Sequence, residues 1–193
     1  GSHQSLEEMA LMRSLPGMVV LSPADAVETE KMIFAVAEYE GPVYVRLGRL
    51  NIPVLFDENY KFEIGKAHTL TEGNDVAIIA TGLMVYEATE AAKLLEKEGI
   101  KARVINMSTI KPLDEEVVLK AARECKLVIT SEEHSIIGGL GSAVSEYLSS
   151  VNPVKVIRHG INDVFGQSAD GNVMLDKYGL RADNLVELVL KNI

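Results

Sequence analysis

The chain has one cysteine, Cys125, so no disulfide can form within it. No apolar run approaches the roughly 18 residues of a membrane span. The N-terminus carries no basic-then-apolar leader, and a cytoplasmic protein is expected. Positive charge is scarce too. Lys and Arg total 19 against 28 Asp and Glu, a net charge of −9, which speaks against a nucleic-acid partner. Internal repeats and low-complexity segments are absent. There is no G-x-S-x-G elbow for a serine nucleophile. Neither an H-x-x-x-H pair nor a second cysteine is present to build a metal site. What remains is 193 residues, 47% apolar and 24% charged. That is enough to bury a core as one domain or as one and a half.

Ser5 with Glu8 fits a capping box and predicts a helix to about Ser14, stopped by Pro16-Gly17. Met18 to Leu21 reads as a short buried strand. Asp25 with Glu28 is a second capping signal. It opens a helix with Met32, Ile33, Val36 and Ala37 on one face, ended by Gly41-Pro42. Val43 to Leu47 is strand-like. Strand, crossover helix and strand imply parallel pairing. Two strands are too few for a stable sheet, so residues 1–56 read as a cut domain with apolar surface left for a partner. Residues 57–74 read as a linker. The α/β rhythm then restarts, with strands near 75–80, 102–106, 127–130 and 154–157 and helices between them, one of them capped by Asp114. Two short helices follow, near 171–178 and 184–191, with Gly179 as a C-cap. The expected class is α/β: over 75–193 an open, mostly parallel sheet with helices on both faces, preceded by a partial βαβ segment.

Gly138-Gly139-Leu140-Gly141 falls between a strand and a helix. Val144 stands where the third glycine of a dinucleotide fingerprint would fall. The first reading is a tight turn with close helix–sheet packing; the second is an anion-binding loop at Gly138, Gly139 and Gly141. Glu132, Glu133 and His134 end one strand, and His159 and Asp163 follow another. Parallel-strand carboxyl ends are where ligands bind, but the spacing fits solvated or loop-bracing side chains better than a metal set, and no metal ligand is assigned. Ser135 beside His134 is adjacency without catalytic geometry. Cys125 reads as a small buried hydrophobe. Arg46 and Arg49 follow a strand, where a guanidinium can grip a phosphate with two bonds.

Four phrases are more specific than any of these. They are Ser2-His3-Gln4-Ser5-Leu6-Glu7-Glu8, Ser22-Pro23-Ala24-Asp25 with Glu28, Gly41-Pro42-Val43-Tyr44-Val45-Arg46-Leu47-Gly48-Arg49, and Glu132-Glu133-His134-Ser135-Ile136-Ile137-Gly138-Gly139-Leu140-Gly141. In this order, and with Gly160 to Gly166 and Tyr178-Gly179-Leu180 closing the chain, the sequence resembles the C-terminal half of a transketolase. That family uses thiamine diphosphate and Mg²⁺ to move a two-carbon ketol unit between sugar phosphates. The resemblance implies the end of a pyrimidine-binding domain followed by the whole C-terminal domain. It implies that His3 hydrogen-bonds the ketose near the reacting carbon. It implies that Arg49, in Arg-x-Asn-x-Pro, holds the sugar phosphate, with Arg46 as second candidate. The activating glutamate and the Gly-Asp-Gly metal–diphosphate motif match nothing here, so the chain alone is expected to be inactive. The implied partners are an N-terminal section of the same enzyme, a second copy in a homodimer, and sugar phosphates. Alternatives are a 1-deoxy-D-xylulose-5-phosphate synthase, a 2-oxo acid dehydrogenase beta-type fragment, or a non-catalytic dimerisation or anion-binding module.

Overall fold

The computed structural model describes residues 5–193. In chain order the elements are α1 (Glu8–Ser14), β1 (Val19–Leu21), α2 (Ala26–Glu38), β2 (Val43–Val45), β3 (His68–Thr71), β4 (Val76–Ala80), α3 (Met84–Lys97), β5 (Ala102–Asn106), β6 (Thr109–Lys111), α4 (Glu115–Glu124), β7 (Leu127–Ser135), α5 (Leu140–Val151), β8 (Val156–Ile161), α6 (Gly171–Tyr178) and α7 (Ala182–Leu190). The larger sheet has the order β3-β5-β4-β7-β8. It is parallel except where β3 pairs antiparallel with β5. Every residue of β4 is buried, and the alternation of its side chains serves two cores. Val76, Ile78 and Ala80 pack with Val85, Ala88 and Leu95 of α3 and Leu185 of α7. Ala77 and Ile79 pack with Val118 of α4 and Val144 of α5. Helices therefore cover both faces, as a central parallel strand with two apolar faces requires. No helix among the described residues is long and apolar enough to cross a membrane.

The leading segment forms a second sheet, β2-β1-β6. β1 and β2 are parallel, and β6 joins β1 antiparallel. The third strand thus comes from about ninety residues downstream, and Val20 of β1 and Met9 of α1 share a core with Ile105, Ile110 and Leu140. Apolar surface is still left open. On α2, Ile33 is 47% and Phe34 68% exposed.

Several local expectations change. His68–Thr71, inside the stretch read as linker, is an edge strand, short and only half-buried, which leaves little hydrophobic pattern to find. β7 runs to Ser135 and β8 to Ile161, past the predicted ends, because buried Glu132 and His134 interrupt the apolar run without ending the strand. Ser5 and Glu8 do not form a capping box. The N-cap of α1 is Glu7, with no side-chain cap bond, and Glu8 is committed elsewhere. Asp25 and Asp114 do cap their helices, and Gly179 closes α6 in the left-handed conformation.

Candidate functional site

β2, β7 and β8 all deliver their carboxyl ends to one side of the molecule, where a cavity of about 550 Å³ opens between the two sheets' units. Glu8, Tyr44, Arg46, Arg49, Gln167 and Asp170 are among the residues that line it.

Arg46 is the best-satisfied side chain there. Its Nε donates to Glu8 Oε1 at 2.6 Å, one terminal nitrogen to Glu133 Oε2 at 3.1 Å, and the other to the Glu133 carbonyl at 2.9 Å. Burial works against its charge, but Glu133 and Glu8 more than offset this and raise its pKa. Two carboxylates therefore neutralise one guanidinium. Arg46 ties α1 to β2 and β7, with three of its five N–H donors spent on Glu8 and Glu133. The second candidate phosphate ligand is thus also a structural keystone.

Arg49, three residues on, is different. It is exposed, lines the cavity, and has no hydrogen-bond or ion-pair partner among the described residues. The chain around it is held from below. Asp25 Oδ2 accepts from the amides of Leu55 and Phe56 at 2.7 and 2.9 Å. Buried Glu28 accepts from Tyr60 Oη at 2.6 Å, Asn106 Nδ2 at 2.8 Å and the Ala24 amide at 2.7 Å. Burial, then the Glu28 charge, pushes the Tyr60 phenol well above its ordinary range. The helix cap of α2 is thus also the clamp that fixes the run after Arg49.

The glycine loop is already occupied. Glu132, fully buried, accepts from the amides of Leu140 and Gly141, both at 2.8 Å. The N-terminus of α5 takes the chain's own carboxylate, and Gly138, Gly139 and Gly141 offer no open cradle to an outside anion. The glycines serve close approach. A Cβ on Gly139 would lie 1.9 Å from Glu132 Oε2, and one on Gly141 would lie 2.7 Å from Thr130 Oγ1. Arg13 bonds the Gly138 carbonyl from α1. His134 braces the same region. Its Nδ1 donates to the Ser135 carbonyl at 2.7 Å, and burial depresses its pKa. His159, also depressed by burial, bridges Ser131 Oγ and the Gly179 carbonyl. Asp163 is exposed, and burial pushes the Cys125 thiol up. Among the described residues no group of three or more His, Cys, Asp or Glu could hold a metal ion. His3 lies outside the described residues.

Burial pushes Glu132 up to about 7, with the Gly141 and Leu140 amides opposing. Its folded pKa exceeds its unfolded one, so its share of stability is full below about pH 4.5 and is lost as pH rises through about 7. The groups facing it are His134, Arg13 and Arg158. Glu132→Gln stays neutral. Its stability relative to the parent should rise by on the order of 2 kcal/mol between pH 5 and 8. Thermal unfolding at several pH values measures this; a pH-independent difference refutes it.

Residues 65–185 match the transketolase C-terminal domain, and residues 1–54 match the transketolase pyrimidine-binding domain. A Methanocaldococcus jannaschii protein, named provisionally as a transketolase C-terminal section, is 44% identical over 98% of this chain and 60% of its own length. A 6-deoxy-6-sulfo-D-fructose transketolase subunit from Clostridium sp. is 43% identical over 96% of this chain and 58% of its own. A solved split-gene transketolase, an inactive beta4 tetramer, is 50% identical with a TM-score of 0.92, covering 98% of this chain and 62% of that one. The chain therefore spans about three fifths of the length of these proteins.

Proposed function

This chain belongs to the transketolase family, and from that premise we propose that it supplies the phosphate-gripping wall of a ketol-transferring enzyme. The observation that carries the reading is the division of labour between two arginines. Arg46 is neutralised by Glu8 and Glu133, while Arg49 lines a cavity at parallel-strand carboxyl ends with no partner among the described residues. A guanidinium there holds the phosphate end of a sugar, and that remote grip orients the reacting end. His3 is proposed to hydrogen-bond the ketose beside the reacting carbon.

Thiamine diphosphate, when bound, supplies the nucleophilic carbon and electron sink for breaking the ketol carbon–carbon bond. No group of three or more His, Cys, Asp or Glu among the described residues could hold the metal at the metal–diphosphate end of that group. A complementary N-terminal section is proposed to carry that end, with this chain docked to it in a homodimeric cytoplasmic assembly. The lengths of the relatives and the open apolar face of α2 support a missing partner surface.

The test is ketol transfer with thiamine diphosphate and Mg²⁺, using the subunit that contains this chain, with and without the complementary section. Activity in the mixture alone is expected. A complex that forms by native mass spectrometry yet transfers no ketol unit overturns the proposal.

A further inference from the structure

From Arg46 to the start of β3 the chain forms no helix or strand, so no backbone ladder sets its course. The stretch that carries Arg49 is seated by side chains at fixed points instead. Arg46 holds its start on Glu8 and Glu133. Leu50 is pressed against the first residue of α6, where a Cβ on Gly171 would fall 2.5 Å from Leu50 Cδ2. Leu50, Ile52 and Leu55 pack on the core that β4 and α3 share. The strap closes at Phe56 and Tyr60, whose rings stack with centroids 4.0 Å apart. Both rings meet His68 of β3 edge-on, each at 5.4 Å.

Beneath that end, three segments of the chain meet on one carboxylate. Glu28 is fully buried in the first turn of α2. One of its oxygens accepts from the Ala24 amide at 2.7 Å. The other accepts from Tyr60 Oη at 2.6 Å and from Asn106 Nδ2 at 2.8 Å. Asn106 is the last residue of β5, fully buried, and paired with Ala80 of β4 and His68 of β3. It therefore brings the sheet of the C-terminal domain to the junction. Asp25, the cap of α2, takes the amides of Leu55 and Phe56. A buried carboxylate depends on each of its donors, so strap, helix and sheet cannot shift independently.

We propose that Asn106 and Tyr60 are positioning residues for Arg49, acting through Glu28, and that the C-terminal domain thereby fixes the seat of the strap that presents this guanidinium. The inference rests on the phosphate role of Arg49 and adds where its placement comes from. A grip that must also align the reacting end tolerates little displacement, because a small misplacement far from the chemistry costs rate.

The test measures ketol transfer by the assembled enzyme from hydroxypyruvate to ribose 5-phosphate or to ribose, two acceptors that differ by the phosphate alone. Tyr60→Phe keeps the ring stack and removes the hydroxyl. Asn106→Leu keeps the volume and removes the amide donor. Each should raise KM for ribose 5-phosphate about fivefold and leave KM for ribose within about twofold. In an Arg49→Ala background neither should raise KM further, because the group they place is gone. Should Asn106→Leu fail to fold, Tyr60→Phe alone decides. If the assembled enzyme transfers no ketol unit, or Arg49→Ala does not separate the two acceptors, the phosphate reading falls and this proposal with it. If Arg49→Ala separates them but Tyr60→Phe and Asn106→Leu act equally on both, add to Arg49→Ala or change nothing, this proposal falls alone.

Discussion

Arg46→Met should cost about 3–5 kcal/mol of folding stability, the usual result of removing one partner from a buried ion network. The guanidinium side chain is 14% exposed, Glu8 12% and Glu133 27%. Methionine fills the space of the stem but leaves both carboxylates without their counter-ion. For a chain of this size the loss corresponds to a fall of roughly 10 °C in Tm. The damage should begin locally. α1 is short, and it is held by Met9 in the core, by Arg13 on Gly138 and Glu146, and by Glu8 on Arg46. Amide exchange of residues 8–14 should therefore accelerate more than that of β4. A double-mutant cycle separates charge from packing. Glu8→Gln with Arg46→Met should cost less than the sum of the two single changes, because the second change removes a charge that the first has stranded. Strict additivity, or a loss under about 1 kcal/mol, sinks the keystone role.

The contrast between the two arginines also shows where the sequence was readable. The α/β alternation, the parallel order, the caps at Asp25 and Asp114 and the C-cap at Gly179 are local features. Each depends on residues within a few positions of one another, and each could be read from spacing. The phrase containing Arg46 and Arg49 was legible as a unit, but not which arginine was free. That depends on Glu8 and Glu133, which lie 38 and 87 residues from Arg46. Glu8 in particular looked like half of a capping box, and nothing nearby marked it as an ion partner. The filling of the glycine loop was hidden for the same reason. Its anion is Glu132, eight and nine residues upstream of the amides it fills, a carboxylate whose neighbours suggested a solvated strand end. β6 was invisible because three residues have no period, and its reason to be a strand is the unpaired edge of β1. Asp170 and Gln167 carried no motif at all. They line the cavity beside Gly171, which packs on Leu50.

Arg49→Ala, in the assembled enzyme, should raise KM for phosphorylated sugars about 100-fold and change KM for unphosphorylated ones by less than about threefold. The figure follows from a charge-assisted contact of about 1.5–3 kcal/mol lost with the guanidinium. Because the side chain is exposed and has no partner among the described residues, its removal should leave stability within about 0.5 kcal/mol. That separates it from Arg46, where the effect is on folding. Arg49→Lys keeps the charge but loses the two-pronged geometry, and should fall between parent and alanine variant. The split between KM and kcat carries the mechanistic content. If the phosphate grip is equal in the ground and transition states, KM alone moves. If it also holds the reacting end in line, kcat falls with it for phosphorylated sugars only. An equal rise in KM for phosphorylated and unphosphorylated sugars would mean that Arg49 shapes the cavity without touching phosphate. The cation for that group would then have to come from the other section of the enzyme.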